Sequence, residues 1–144
     1  MNDEPPAPHD RPNFSVLICD DNVAMRVLLG ALIDAARDLR VAGEAGDGDE
    51  AVLEARRLQP DVILLDLAMP NRSGLEALPD LRLVAPDAQI VVLSGFAEAT
   101  VAADVLALGA HAYLQKGADP DTIIATIQSA AAHDARRVSA RTGS

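Results

Sequence analysis

The chain has 144 residues, the usual length of a single domain, and 49% of them are hydrophobic, enough to build a core. Its net charge is −10, which repels phosphate backbones and anionic lipid surfaces, so we expect no direct binding to nucleic acid or membranes. A single cysteine excludes an internal disulfide. The sequence also lacks a bilayer-spanning apolar run and a secretory signal, and we therefore expect a cytoplasmic protein.

Both ends of the chain differ in composition from its centre. Residues 1–13 contain four prolines and almost no apolar side chains, so burial cannot offset the entropy lost on ordering. Residues 134–144 are similarly small and polar. We expect flexible tails at 1–13 and 134–144 around one folded domain of residues 14–133.

Short runs rich in leucine and β-branched residues recur along this domain, with stretches of helical period between them. The runs are residues 14–19, 40–45, 61–65, 88–93 and 111–115. Several are apolar on consecutive residues, which is typical of strands covered on both faces of a parallel sheet. Strands that alternate with helices predict an α/β fold, a (βα)5 unit with helices on both faces of one sheet.

The helical stretches carry recognisable start signals. Asp47 with Glu50, and Ser73 with Glu76, have the spacing of a capping box. Pro79 follows soon after the second of these caps, where proline removes a hydrogen bond and clashes with the preceding turn. We therefore expect the third helix to kink or restart at Pro79.

Polar residues stand at the ends of four runs. Asp20 and Asp21 follow the first, Asp66 the third, Ser94 the fourth and Lys116 the fifth. Ligands of open parallel sheets bind beyond the carboxyl ends of the strands, so we expect these groups to converge. Neighbouring carboxylates repel one another unless a cation intervenes. An all-oxygen cluster without histidine or thiolate favours Mg²⁺.

Asp66, at the end of the central run, is the candidate nucleophile for phosphoryl transfer. A carboxylate can attack an activated phosphoryl group, and the loose transition state needs positive groups around its oxygens. Mg²⁺ and Lys116 would supply that charge, and the Ser94 hydroxyl could donate a hydrogen bond. Lys116 is the only lysine in the chain, which favours a functional role for it.

Simpler interpretations of these residues stand beside the chemical one. Asp20 and Asp21 could cap the first helix. Ser94, which precedes a glycine, could belong to an ordinary turn. Tyr113 could be a half-buried residue of the sheet.

In order and spacing, the motifs resemble the receiver domains of two-component response regulators, the CheY-like family, over residues 14–133. The matching motifs are CDDN at 19–22, DLAMP at 66–70 with GL at 74–75, SG at 94–95 and YLQK at 113–116. Residues 112–121 more closely resemble receivers of LuxR-type transcription regulators.

The resemblance implies a flavodoxin-like, doubly wound sandwich with parallel strands in the order 2-1-3-4-5. It also implies that Asp66 accepts a phosphoryl group from a histidine kinase or a histidine phosphotransfer protein. Asp20, Asp21, Asp66 and the backbone carbonyl of Ala68 would hold Mg²⁺, with Asp20 acting mainly through metal-bound water.

Ser94, Lys116 and Tyr113 would form the phosphoryl-binding and switch group of such a domain. Phosphorylation would draw Ser94 and Tyr113 inward and alter the face built by the fourth helix, fifth strand and fifth helix. That face would then bind a downstream protein or a second copy of the chain. On this interpretation the protein is a switch with autocatalytic phosphoryl transfer, not an enzyme.

The sequence departs from the family pattern at informative positions. Gly117 stands after the lysine, where the family commonly has proline. Ala68 and Phe96 occupy the positions at which the family tunes the lifetime of the phosphoryl group. Neither offers a polar side chain to orient a water molecule, so we expect slow autodephosphorylation.

Other functions fit the sequence in part. The chain could be a receiver fragment of a LuxR-type DNA-binding regulator that lacks its output domain. An aspartyl-phosphate phosphatase would need a second aspartate where Ala68 stands. A flavin-binding module would need a phosphate loop after the first strand.

Overall fold

The fold was analysed in a computed structural model, which describes residues 13–95 and 99–142; of residues 99, 100 and 134–142 it describes only the backbone. Strands and helices alternate along the described chain as the sequence predicts. The elements are β1 (Phe14–Cys19), α1 (Val23–Ala35), β2 (Leu39–Ala45), α2 (Gly48–Leu58), β3 (Val62–Leu65), α3 (Gly74–Val84), β4 (Gln89–Ser94), α4 (Ala99–Ala107), β5 (Ala112–Gln115) and α5 (Pro120–Thr142).

The strands form one parallel sheet in the order β2-β1-β3-β4-β5, which confirms the predicted flavodoxin-like architecture. Cys19 at the end of β1 pairs in register with Leu65 at the end of β3. The ladder continues one residue further, because the backbone N–H of Asp66 donates to the carbonyl of Cys19 at 2.9 Å. Asp20 and Asp66 therefore leave neighbouring strands at the same level.

Helices cover both faces of the sheet and enclose two apolar clusters, one on each side. Every residue of β3 is buried, which explains its uninterrupted apolar run. Ile63 and Leu65 face α2, α3 and α4, whereas Val62 and Leu64 face α1 and α5. The core is thus aliphatic on both sides and supports the carboxyl edge of the sheet from below.

The start of α3 is a complete capping box. The Ser73 hydroxyl accepts a hydrogen bond from the Glu76 N–H, and the Glu76 carboxylate accepts one from the Ser73 N–H. At α2, Asp47 accepts from the Glu50 N–H at 2.8 Å. Both helix starts therefore lie where the sequence places them.

α3 does not restart at Pro79, because it is one helix from Gly74 to Val84, and the alternative of a kink there stays a prediction. Proline still removes the N–H that would donate to the carbonyl of Leu75. Burial of Leu78 and Leu81 on either side of it holds both halves of the helix against the core. Tertiary packing here outweighs the local penalty.

At the carboxyl end, α5 continues to Thr142, past residue 133, where the sequence predicts that the folded domain ends. The domain boundaries remain predictions, and the N-terminal tail predicted for residues 1–13 lies almost wholly outside the described residues. Within the described chain, no helix combines the length and apolar character needed to cross a membrane.

Candidate functional site

Three carboxylates meet at the carboxyl edge of the sheet. Asp20 and Asp21 follow β1, and Asp66 follows β3, the central strand. One oxygen of each lies within 4.8 Å of the other two. Asp20 and Asp66 are only 2% and 3% exposed, whereas Asp21 faces solvent. The convergence predicted from the strand ends is therefore present, with two buried acids and one accessible one.

Asp20 is held by residues at the start of α1. Its Oδ1 accepts a hydrogen bond from the Asn22 N–H at 2.8 Å, and its backbone carbonyl accepts one from the Arg26 guanidinium. Arg26 Nε also lies 3.2 Å from Glu44 Oε1 near the end of β2. The position of Asp20 is thus fixed from two sides.

The N-cap of α1 is Asn22, not the acidic pair. Its side-chain oxygen accepts from the Met25 N–H at 3.0 Å. The capping interpretation of Asp20 and Asp21 therefore does not hold. Both carboxylates remain available to the site.

Lys116 joins the two buried acids. Its Nζ lies 3.0 Å from Asp20 Oδ2 and 3.1 Å from Asp66 Oδ2. Its backbone N–H donates to the Ser94 carbonyl at 2.8 Å, which fixes the end of β5 beside β4. The only lysine of the chain thus lies inside the acidic cluster, beside the carboxylates with which the sequence analysis grouped it.

Burial and charge shift the proton affinities of this cluster. Burial, the largest influence, raises the pKa of Asp66, and the charge of Asp20 adds to it, while Lys116 and the Ala68 N–H oppose it. For Lys116, burial acts to lower the pKa, but the hydrogen bonds and charges of Asp20 and Asp66 outweigh it and the net direction is upward. One ammonium group therefore does not fully compensate the buried carboxylates.

The donors in this cluster fit Mg²⁺. They are carboxylate oxygens close enough to share one cation, and the exposed Asp21 leaves room for the waters that Mg²⁺ retains. A divalent cation would also offset the burial and the neighbouring charge of Asp20 that raise the pKa of Asp66. Ala68 is exposed at the same edge, and its N–H donates to Asp66 Oδ1 at 3.2 Å.

The remaining predicted residues fall at the ends of β4 and β5. Ser94 is fully buried and is the last residue of β4. Tyr113 is half-buried in β5, pairs in register with Val92 and packs against the core on the α2, α3 and α4 side. Phe96 lies outside the described residues. The roles of Ser94 and Tyr113 in a switch remain predictions.

Sequence reasoning missed three residues that shape the site. Asn22 carried a signal, since asparagine is a favoured N-cap. Arg26 carried only a weak signal, because it is a basic residue on a largely apolar helix. Gly74 appeared only as part of a motif, yet a Cβ there would lie 2.2 Å from the Asp66 carbonyl oxygen. That close approach depends on tertiary packing.

Comparison with protein families decides the identity of the domain. The family described as the response regulator receiver domain matches residues 16–128. The chain belongs to this family. Receiver domains are signalling domains that generally bind Mg²⁺ at an acidic pocket, which corresponds here to the cluster of Asp20, Asp21 and Asp66.

Relatives of this receiver domain include LuxR-family regulators. It is 37% identical over 118 residues to the nitrate/nitrite response regulator protein NarL of Escherichia coli K12, covering 82% of this chain and 55% of NarL. A LuxR-family response regulator from Aurantimonas sp. SI85-9A1 is 26% identical with a TM-score of 0.80, covering 84% and 86% of the two chains.

A third relative carries a modified aspartate. It is a Burkholderia pseudomallei response regulator solved with a phosphorylated aspartic acid, a calcium ion and citrate. It is 30% identical with a TM-score of 0.73, covering 89% of this chain and 74% of that one. The chain spans a little over half the length of the first curated relatives it matches, 58% and 55%.

Proposed function

We propose that this receiver domain is the phosphoacceptor of a two-component system, and that a histidine kinase or a histidine phosphotransfer protein phosphorylates Asp66 in a Mg²⁺-dependent reaction. The observation that carries the proposal is the environment of Asp66. Its carboxylate is buried at the end of the central strand, beside two further aspartates, and contacts the only lysine of the chain. The Burkholderia relative with a phosphorylated aspartic acid supports the same chemistry.

In the proposed reaction, an oxygen of the Asp66 carboxylate forms a bond to phosphorus while the phosphorus–nitrogen bond of the donor phosphohistidine breaks. The leaving imidazole takes a proton from solvent. Asp20, Asp21, Asp66 and the Ala68 carbonyl would hold Mg²⁺, which supplies positive charge to the phosphoryl oxygens.

Lys116 would then exchange one partner for another. In the unphosphorylated chain its ammonium group neutralises part of the charge of Asp20 and Asp66. Once Asp66 is an acyl phosphate, the same ammonium can pair with a phosphoryl oxygen. The Ser94 hydroxyl, at the end of the adjacent strand, would donate to another.

The signal would leave through the face formed by α4, β5 and α5, next to Ser94 and Tyr113. Leu106 in α4 is 47% exposed, an apolar side chain suited to contact with a protein partner. We propose that a downstream protein, or a second copy of the chain, binds this face, and that nucleic acid and membranes do not.

The phosphoryl group should be long-lived. Ala68, two residues after the acceptor, is exposed and offers only a methyl group, which cannot orient a water molecule for hydrolysis. Because Asp66 is consumed once per transfer, the domain acts as a switch and not as a turnover enzyme. The proposal includes a cytoplasmic location, where kinases have access to ATP.

Intact-mass analysis after incubation with acetyl phosphate and Mg²⁺ tests the proposal. The parent protein should gain the mass of one phosphoryl group, and Asp66→Asn should gain none. Asp34→Asn, which changes an exposed aspartate at the far end of α1, should behave like the parent. Omitting Mg²⁺ should abolish the gain in every variant.

Phosphorylation of Asp66→Asn to the same extent as the parent would contradict the assignment of the acceptor. A parent that gains no phosphoryl group from either acetyl phosphate or a phosphorylated histidine kinase would contradict the proposed function as a whole. The proposal requires no output domain, because every residue it assigns to phosphoryl transfer lies between Asp20 and Lys116.

A further inference from the structure

The loop between β3 and α3, residues 66–73, is tied to the start of α2. The Asn71 side-chain amide donates to Asp47 Oδ2 at 3.1 Å, and the Gly48 N–H donates to the Arg72 carbonyl at 2.8 Å. Arg72 Nη1 also lies 3.6 Å from Asp49 Oδ1. We call the set of Asp47, Gly48, Asn71 and Arg72 the loop brace.

The backbones of the loop brace are in direct contact. A Cβ on Gly48 would lie 2.5 Å from the Arg72 carbonyl oxygen, so only glycine lets α2 begin this close to the loop. Asn71 has a φ of 62°, in the left-handed region that asparagine tolerates better than most residues. The turn thereby aims the Asn71 amide at Asp47.

The two carboxylate oxygens of Asp47 accept hydrogen bonds from different elements, one from α2 and one from the loop between β3 and α3. Oδ1 accepts from the Glu50 N–H as the cap of α2, and Oδ2 accepts from Asn71. These hydrogen bonds, with the one from Glu50 the largest influence, lower the pKa of Asp47. The carboxylate therefore stays ionised, and the brace stays intact, over the neutral range.

The loop needs such a tie because much of it is exposed. Leu67 and Met69 are anchored in the core, but Ala68, Pro70 and Asn71 face solvent. The hydrogen bond from the Ala68 N–H to Asp66 Oδ1 depends on the conformation of this exposed backbone. Other side-chain contacts join Arg72 to Asp80 in α3 and Asp66 to Lys116, and among the described residues the brace adds the side-chain hydrogen bond that joins the loop to α2.

We propose that Asp47 and Asn71 are positioning residues of the Asp66 site, holding the loop so that Asp66 and Ala68 are presented together to Mg²⁺. The inference rests on the function proposed above. A loop held in its binding conformation loses less entropy when the cation binds, so the brace raises Mg²⁺ affinity without touching the ion.

Two substitutions separate this role from helix capping and from backbone strain. Asp47→Ser keeps one oxygen to cap α2 but cannot also bind Asn71. Asn71→Gly keeps the left-handed backbone but removes the amide. Glu54→Gln is the control, since it breaks an exposed ion pair with Arg57 on the same helix and leaves the brace intact.

The measurements are Mg²⁺ affinity by titration calorimetry and amide hydrogen exchange at Ala68, both on the full chain. Asp47→Ser and Asn71→Gly should each weaken Mg²⁺ binding by about 3- to 10-fold, the range expected from one hydrogen bond, and should speed exchange at Ala68. The double variant should lose no more than the single ones, because both remove the same contact. Glu54→Gln should match the parent.

A variant that unfolds at a lower temperature but keeps the parent's Mg²⁺ affinity would overturn the positioning role and leave a structural one. Additive losses in the double variant would also overturn it. If the parent chain itself binds no Mg²⁺, the proposed function fails and this inference fails with it, an outcome distinct from unchanged affinity in the variants alone.

Discussion

Asp66 carries its charge at a cost to the fold. The carboxylate is buried next to Asp20, and Lys116 offsets only part of the penalty, so the pKa of Asp66 is raised. A raised pKa means that the folded state binds the proton more tightly than the unfolded state does. Ionisation of Asp66 therefore destabilises the fold as pH rises through the interval between the unfolded and folded pKa values.

Asp66→Asn should consequently increase the unfolding temperature at pH 7. The gain should shrink as pH falls through the raised pKa of Asp66 and vanish below the ordinary pKa of aspartate, where the parent is also neutral at this position. Thermal unfolding followed by circular dichroism at a series of pH values from about 3 to about 8 measures this change. If Asp66→Asn unfolds at a lower temperature than the parent at pH 7 without Mg²⁺, the ionised Asp66 carboxylate does not destabilise the fold.

The sequence predicted that the polar side chains at the strand ends would converge, because the ends of the strands can be located from the sequence. Asp20 and Asp66 each follow a run of apolar residues, Lys116 follows the mixed run of residues 111–115, and parallel topology brings such positions to one edge. The sequence did not predict the hydrogen bonds and ion pairs that hold these side chains in place. The hydrogen bond from Arg26 to the Asp20 carbonyl depends on the rotamer of a side chain on α1. The spacing of residues in the sequence does not determine that rotamer.

At the scale of elements, the start of α3 is fitted closely to the end of β3. The Gly74 N–H donates to the Leu67 carbonyl at 2.9 Å, and its Cα faces the Asp66 carbonyl. The capping signal at Ser73 was visible in the sequence, but this close approach was not. The choice between a kink and a restart at Pro79 could not be made from the sequence for the same reason, because contacts distant in sequence decide it.

Gly74→Ala should destabilise the fold by about 1–3 kcal/mol, since the new methyl group would overlap a backbone carbonyl that cannot rotate away. Gly30→Ala in α1 is the matched control. It meets nothing within 4 Å and should stabilise the fold by about 0.5–1 kcal/mol through helix propensity. Urea denaturation measures both, and equal effects at the two glycines would refute the packing argument.

At the scale of the molecule, the parallel register aligns the ends of β1, β3, β4 and β5, so that one edge carries Asp20, Asp21, Asp66, Ser94 and Lys116. The strand order 2-1-3-4-5 was predicted from the family resemblance. Hydrophobic periodicity predicts where strands lie in the sequence but not which strands pair in the sheet. The bounds of the strands were predictable to within about one residue because all of them are bordered by polar or turn residues. The carboxyl limit of the domain stays a prediction, and α5 continues through a polar segment beyond residue 133.

Mg²⁺ should stabilise the whole fold, because it would bind the folded cluster and not the unfolded chain. At a concentration 100 times the dissociation constant, the gain should be about 2.7 kcal/mol. Asp21→Asn, which changes an exposed acid, should lose much of this gain while folding normally. The test compares the unfolding temperature in MgCl₂ with that in NaCl of equal ionic strength. If the two salts raise it equally, Mg²⁺ acts only by screening the net charge of −10.

The half-buried position of Tyr113 in β5 also has an optical consequence. The chain has one tyrosine and no tryptophan, so its ultraviolet emission above the phenylalanine region comes from a single side chain beside the strand that ends in Ser94. A rearrangement of that ring on phosphorylation would change the intensity and polarisation of the emission directly. The domain therefore contains its own fluorescent reporter, and the kinetics of a switch can be followed without a label.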